Sequence, residues 1–374
     1  MKAGFDAKRA FLNDSGLGNY SRTTLNAFRE YYPDNHYVLF TPQISNELFI
    51  NYKDFDVISP DSSFSKIFKS LWRSFSLTGQ LKKHSIDIFH GLSNELPEGI
   101  HKTDVPSVVT IHDLIFIRFP NFYKTVDRNI YYRKVKYACD AATRVVAISN
   151  QTKEDIIQYF KVKPEKIETI HQAVGPVYFD KQDTSDLHEK YELPKKFILS
   201  VGTIEHRKNQ LTLLKALKTG KIETPVVFIG EPTIYASELL KYISENNLDS
   251  RVKFLTKVPE EDLAGLYQIA DASVYISLFE GFGLPLIEAM ACGCPVLTSN
   301  VSCLPETSGD AAMLCNPKDE KDVAEKLKEL LENTETRNDF IQKGKTRANQ
   351  FHPENYSKKL ISLYSEIIEL EYAL

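Results

Sequence analysis

Ala272-Ser273-Val274-Tyr275-Ile276-Ser277-Leu278-Phe279-Glu280-Gly281-Phe282-Gly283-Leu284-Pro285-Leu286-Ile287-Glu288 is the stretch on which the fold turns. The apolar run Ala272 to Leu278 reads as a buried parallel strand, the chain turns at Gly281 and Gly283, and a helix is predicted from about Pro285. Backbone N–H groups at that helix start face a phosphate or a hydroxyl-rich ligand, favoured by the positive end of the helix dipole. Two carboxylates, Glu280 and Glu288, stand eight positions apart across this turn. One precedes the helix and the other lies one turn inside it, so they reach opposite ends of one extended ligand. Carboxylates accept paired hydrogen bonds from neighbouring hydroxyls such as those of a hexose or a ribose, which suits a sugar nucleotide. The plain alternative is a solvated glutamate at a strand end and a second one held by the helix dipole.

The same alternation of short apolar runs with helix-length amphipathic segments recurs along the chain, the pattern of parallel sheets with crossover helices. In the first half the expected strands are Lys2 to Asp6, Tyr37 to Thr41, Phe55 to Ile58, Ile86 to His90, Ser107 to Ile111, Arg144 to Ile148 and Ile167 to Ile170. In the second half they are Phe197 to Val201, Val226 to Ile229, Val252 to Leu255, Ala272 to Ile276, Val296 to Ser299 and Ala312 to Leu314. Gln172 to Pro194, polar and bearing prolines at 176 and 194, is the expected linker. At 374 residues the chain exceeds one ordinary core, and two domains of roughly 170 to 190 residues are expected. Their expected limits are 1–175 and 176–352. The tail 353–374 reads as one helix with an apolar stripe from Tyr356 to Leu370, suited to packing back on the first domain.

Composition narrows the function. Hydrophobic residues make up 42% and charged residues 26% of the chain, as in soluble globular proteins, and a formal charge of -4 argues against nucleic acid as the partner. Met1 to Phe5 runs into a strand without a signal-like region, and no apolar run approaches the ~18 residues of a bilayer span, so a cytoplasmic location is expected. Cys139, Cys292, Cys294, Cys303 and Cys315 show no paired spacing for a disulfide framework or a zinc site. Cys292 and Cys294 read as small buried thiols.

Four further segments carry chemistry. Thr203-Ile204-Glu205-His206-Arg207-Lys208-Asn209 follows the strand Phe197 to Val201 and Gly202, so Arg207 and Lys208 fall at a carboxyl strand end, where open α/β sheets bind ligands. A guanidinium and an ammonium there can share a diphosphate and stabilise its growing charge as it leaves, unless they form only a solvated basic turn. Asp14-Ser15-Gly16-Leu17-Gly18-Asn19-Tyr20-Ser21 is a glycine-rich loop entering a helix expected from Arg22. It lies too far from the strand end Asp6 for a dinucleotide fingerprint, which speaks against a Rossmann dehydrogenase. A loop that approaches a phosphate or an acceptor, or an ordinary glycine turn, fits it better. His112, at the end of Ser107 to Ile111, can hydrogen-bond a sugar hydroxyl or polarise a reacting centre, and His90 stands at another strand end. A structural role is open for both. Phe64 to Phe75 repeats aromatic and aliphatic residues at helical spacing with lysines and Arg73 between them. It reads as a core-facing helix, or as one lying peripherally on the inner membrane face.

Taken together and in this order, Gly16-Leu17-Gly18, His112-Asp113, Arg207-Lys208 after Gly202, and Glu280 to Glu288 resemble glycosyltransferase family 4, whose members have the GT-B fold: α/β, two Rossmann-like domains with parallel sheets facing an interdomain cleft. The resemblance covers essentially the whole chain and is strongest from Phe197 to Asn316. It implies a retaining hexosyl transfer from a nucleotide diphosphate sugar, with no cofactor and no obligate metal. It also implies that Arg207 and Lys208 hold the donor diphosphate, Glu288 the ribose hydroxyls, and Glu280 the donor sugar beside the amides of Phe282, Gly283 and Leu284. Gly16 and Gly18 match the loop approaching the diphosphate, His112 a histidine at the reacting sugar, and Val258 a backbone contact to the base. Segments with Ile-His-Asp-Leu resemble mannosyltransferases, which makes GDP-mannose the first expected donor, with glucose, galactose and N-acetylglucosamine donors open beside it. A glycan or lipid-linked oligosaccharide is the expected acceptor. The competing readings are an epimerase or phosphorylase of similar fold, and a sugar-binding module without catalysis.

Overall fold

The structure, a computed structural model, describes residues 1–45, 47–60 and 72–372. Most of Phe64 to Phe75 therefore lies outside the described residues. Trp72, the member of its apolar stripe whose side chain is described, is buried in the core with Val38, Phe40 and Leu77. No described helix is long and apolar enough to cross a membrane.

The chain forms two compact units, one reaching to Ala173 and including the terminal helix from Pro353, the other running from Val174 to His352. In the first, β1 (Lys2–Asp6), β2 (His36–Phe40), β3 (Asp56–Ile58), β4 (Ile88–Gly91), β5 (Ser107–Ile111), β6 (Arg144–Ala147) and β7 (Ile167–Thr169) form one sheet. Their order is β3-β2-β1-β4-β5-β6-β7, and every pairing is parallel. The second unit holds β8 (Ile198–Val201), β9 (Val226–Ile229), β10 (Val252–Leu255), β11 (Ala272–Tyr275), β12 (Val296–Ser299) and β13 (Met313–Cys315). They are ordered β10-β9-β8-β11-β12-β13, again all parallel. Each expected strand is present, with ends displaced by at most two residues. Parallel strands covered on both faces need apolar side chains in both directions, so continuous runs such as Val226–Ile229, buried throughout, mark them.

Strand order reverses once in each sheet, between β1 and β4 and between β8 and β11. The carboxyl ends flanking such a reversal are where doubly wound sheets leave a ligand crevice.

Two expectations change. From Val174 onward the expected linker is folded onto the second unit. Leu187 is buried, Gln182 N–H donates to Gln268 Oε1 at 3.1 Å, and Gln268 Nε2 donates to the Asp180 carbonyl at 2.7 Å. A polar segment whose amides find partners on the helix Glu260–Ile269 has no need to be a free connector. The second change is the helix after the glycine-rich segment, which begins at Gly16 and not at Arg22. Arg22 Nη1 donates back to the carbonyls of Ala10 and Asn13 at 3.0 and 2.9 Å. Asn13 Oδ1 accepts the N–H groups of Ser15 and Gly18 at 3.2 and 3.0 Å, capping the first turn.

The terminal helix Pro353–Tyr372 lays Tyr356, Leu360, Leu363, Tyr364 and Ile367 into the core of the first unit. Five such side chains contribute on the order of 10 kcal/mol of gross burial, before ordering costs. Polar contacts fix its register. His90 lies between Tyr364 Oη at 2.5 Å and Thr110 Oγ1 at 2.8 Å, and Tyr356 Oη donates to Tyr20 Oη at 2.7 Å. His90 is thus a structural residue. Burial, with a smaller contribution from His112, holds its imidazole down to about 3, so it stays neutral.

Candidate active site

The charged residues of the second unit meet at its strand-order reversal because the loops after β8 and β11 are stitched together. Leu278 N–H donates to the Arg207 carbonyl at 2.8 Å, Arg207 Nη1 to the Phe279 carbonyl at 2.8 Å, and Asn209 Nδ2 to the Ile276 carbonyl at 3.2 Å. Asn209 accepts a left-handed backbone, φ 62°, and so turns the chain from His206–Lys208 into the helix Gln210–Thr219. Hydroxyls from the β12 loop brace the other side. Ser302 Oγ accepts from Glu280 N–H at 3.2 Å and donates to the Glu280 carbonyl at 2.8 Å, while Thr307 Oγ1 donates to the Phe282 carbonyl at 2.7 Å.

Within this frame Glu280 is nearly buried and takes both bases. Arg207 Nη1 lies 2.6 Å from Oε2 and Lys208 Nζ 2.7 Å from Oε1. Arg207 also pairs with Glu205 at 2.5 Å, and Lys208 donates to Tyr275 Oη at 2.7 Å with its ammonium 4.7 Å from the ring centre. Two cations and two carboxylates leave the group electrically neutral. Burial alone pushes the Glu280 carboxyl up, but Lys208 and then Arg207 overcome it and hold it down at about 2. Burial lowers Lys208, opposed by Glu280 and reinforced by Arg207. Arg207 is kept charged against its own burial by Glu280 and Glu205.

Glu288 stands on the helix Leu284–Ala291, where Tyr267 Oη donates to its Oε2 at 3.4 Å. Burial, with the charge of Glu260 added, pushes its carboxyl up to about 8, while Tyr267 and the charge of Lys208 pull the other way. Of the basic pair, Lys208 is the one whose charge reaches Glu288. Val258 lies in the loop after β10, two residues before Glu260. Gly202 follows β8, with the Lys208 side chain running past it. Gly283 has φ 100° and caps the helix that opens at Leu284, and a Cβ there would stand 2.8 Å from Leu304 Cδ2, so only glycine fits. Phe282 is buried beside it.

Gly16, Gly18 and His112 lie in the first unit. Gly16 and Gly18 open the helix Gly16–Tyr31. His112 is buried with both ring nitrogens engaged: Nε2 is 2.8 Å from the Leu92 carbonyl and Nδ1 2.7 Å from Gln172 Nε2. A carbonyl only accepts, so Nε2 carries the proton and Nδ1 accepts from the Gln172 amide. Burial holds the ring down to about 4. A sugar hydroxyl would reach a ring nitrogen only by displacing Gln172, which differs from the open histidine expected at this strand end.

Glu205, Tyr275, Asn209, Ser302 and Thr307 belong to the site without having been singled out. Among the described residues no group of three or more histidine, cysteine, aspartate or glutamate side chains stands close enough to hold a metal ion.

Two family models match: glycosyltransferase family 4 over residues 15–176 and glycosyl transferases group 1 over residues 183–347. The chain is 31% identical over 292 residues to an O-antigen chain mannosyltransferase B of Escherichia coli, covering 76% of this chain and 75% of the relative. It is 34% identical over 203 residues, 53% of each chain, to the N-acetylgalactosamine-N,N'-diacetylbacillosaminyl-diphospho-undecaprenol 4-alpha-N-acetylgalactosaminyltransferase of Campylobacter jejuni. Among solved structures, Anabaena HepE in complex with UDP and glucose superposes with a TM-score of 0.76 at 18% identity, covering 98% of this chain and all of HepE. The two parallel sheets, the two family models and these similarities agree: the chain belongs to glycosyltransferase family 4, with the GT-B fold, and is a hexosyltransferase.

Proposed function

We propose that the chain transfers mannose from GDP-mannose, with retention of configuration, to a glycan or lipid-linked oligosaccharide. The observation that carries the reading is the closed group Arg207, Lys208, Glu280 and Glu205 at the reversal between β8 and β11. The similarity to the Escherichia coli mannosyltransferase supports the sugar. HepE, well below 25% identity, speaks for the fold alone.

In this reading donor binding is an exchange of partners. The diphosphate draws Arg207 and Lys208 away from Glu280, and the freed carboxyl accepts hydroxyls of the sugar. Glu288 takes the ribose hydroxyls, the loop at Val258 the base, and the turn Phe282-Gly283-Leu284 the sugar and phosphate, with Gly202 leaving room for Lys208.

The bond between the anomeric carbon and the phosphate oxygen then breaks with its electron pair on the diphosphate. The acceptor oxygen bonds to the same face of the carbon, and its proton passes to the departing phosphate. No enzymic base is needed. Arg207 and Lys208 meet more negative charge in the transition state than in the bound donor, which lowers the barrier and does not merely tighten binding.

The test measures nucleotide release from GDP-mannose, UDP-glucose, UDP-galactose and UDP-N-acetylglucosamine, with and without a lipid-linked glycan acceptor. Release that requires acceptor and runs fastest with GDP-mannose is expected. Preference for a UDP-sugar removes the donor assignment, and binding without release in any pairing removes catalysis.

A further inference from the structure

A lysine ammonium rides on a flexible four-carbon stem, so its direction is set by what it touches. Lys208 closes the short turn His206–Lys208, and three contacts fix its end. Its stem passes Gly202, where a Cβ would stand 3.3 Å from Lys208 Cε. Its Nζ lies 2.7 Å from Glu280 Oε1 and donates to Tyr275 Oη at 2.7 Å. The partners differ in how firmly they are held. Glu280 stands in the turn beyond β11, whereas Tyr275 is the last residue of that strand, is buried, and is paired in register with Thr298 of β12. Thr298 Oγ1 also donates to the Tyr275 carbonyl at 2.7 Å. The Tyr275 ring edge lies 3.5 Å from the place a Cβ on Gly283 would take, so the phenol borders the turn assigned to the sugar and phosphate.

The two contacts also differ in charge. A carboxylate competes with a diphosphate for the ammonium, and a neutral phenol oxygen does not. It accepts one of the three N–H groups and leaves the others to turn toward phosphate. Burial, with the charge of Glu280 added, raises the Tyr275 hydroxyl far above its ordinary value, so it keeps its proton, and it hydrogen-bonds Glu280 as well. Tyr275 therefore touches both sides of the pair that the donor must open.

We propose that Tyr275 is the positioning residue for Lys208: its hydroxyl keeps the ammonium in place as Glu280 is withdrawn, and the cation turns about that oxygen onto the departing diphosphate. The inference rests on the proposed exchange of partners and adds the group that directs it.

Four versions of the full chain test it: wild type, Tyr275→Phe, Lys208→Ala and the double variant. Turnover is measured at saturating acceptor with the nucleotide sugar that gives the fastest nucleotide release. Phenylalanine keeps the ring and removes only the hydroxyl. Tyr275→Phe should lower turnover by about tenfold, as the loss of one hydrogen bond to a charged group does. In the Lys208→Ala background the same change should cost less than about twofold, because its effect runs through the ammonium. A looser β11 would instead slow both backgrounds by the same factor. The hydroxyl favours the charged form of Lys208, so the alkaline limb of turnover should move to lower pH in Tyr275→Phe. Equal losses in both backgrounds with Lys208→Ala itself slow, or an alkaline limb at the same pH with and without the hydroxyl, overturns the inference alone. A normal rate in Lys208→Ala refutes the leaving-group reading, and the inference falls with it.

Discussion

Replacing Glu280 by glutamine separates the two roles of the closed charge group. The substitution keeps the size of the side chain and removes the negative charge that Arg207 and Lys208 approach to 2.6 and 2.7 Å. Holding a carboxyl at about 2 against an ordinary 4.5 corresponds to about 3 kcal/mol of folded-state stabilisation, within the range for breaking a buried pair. Because the folded pKa is depressed, that stabilisation is present above the unfolded pKa and is lost as pH falls toward about 2. Glu280→Gln should therefore lower unfolding free energy at pH 7 by about 3 kcal/mol and flatten its acid limb. Nucleotide binding should move the other way. Diphosphate no longer competes with a carboxylate for the two bases, so GDP should bind about tenfold tighter, near 1.4 kcal/mol, while turnover falls ~10²-fold as the sugar loses its charged acceptor. Calorimetric titration with GDP, acceptor-saturated turnover and urea unfolding measure the three quantities. GDP affinity that falls in step with turnover would refute the exchange of partners.

Lys208→Ala should reduce turnover by ~10²-fold at saturating donor, and a normal rate would remove Lys208 from leaving-group stabilisation. Glu288, raised to about 8, favours the folded state most fully below its unfolded pKa, and this contribution is lost as pH rises through about 8. Melting temperatures of the free chain should accordingly fall between pH 5 and pH 9 in the wild type more than in Glu288→Gln, and parallel curves would contradict the shift. Gly283→Ala forces a side chain into φ 100° against Leu304 and should cost ~1–3 kcal/mol in urea unfolding. Tyr364→Phe strips His90 Nδ1 of its partner and should destabilise by ~1–3 kcal/mol. GDP affinity should stay the same in that variant, and a change would tie the helix to nucleotide binding.

The strands were legible because covered parallel strands concentrate Val, Ile and Phe into short runs, a composition that survives without knowledge of partners. Arg207, Lys208 and Glu280 were legible for a related reason: each follows such a run at a glycine, and carboxyl strand ends are where ligand chemistry gathers. The residues that hold them together were not. Asn209 and Ser302 act through hydrogen bonds that span 67 and 22 positions, and a lone polar residue in a loop leaves no periodic trace. Gln172, 60 residues from the His112 ring it engages, was hidden in the same way, so the histidine looked open. The helix start at Gly16 was masked by its glycines, which weaken intrinsic helix propensity until the Arg22 and Asn13 contacts offset the loss.

At the β8/β11 reversal the charges cancel within a closed group, so a ligand enters by displacing an internal partner and the site discriminates by what that exchange returns. At the β1/β4 reversal the cations with close partners are paired as well, Arg73 with Asp6 and Glu95, and Lys134 with Glu95. The difference lies in burial: the Glu280 side chain is 9% exposed and that of Lys134 47%, so salt screens the β1/β4 pairs more than the β8/β11 group.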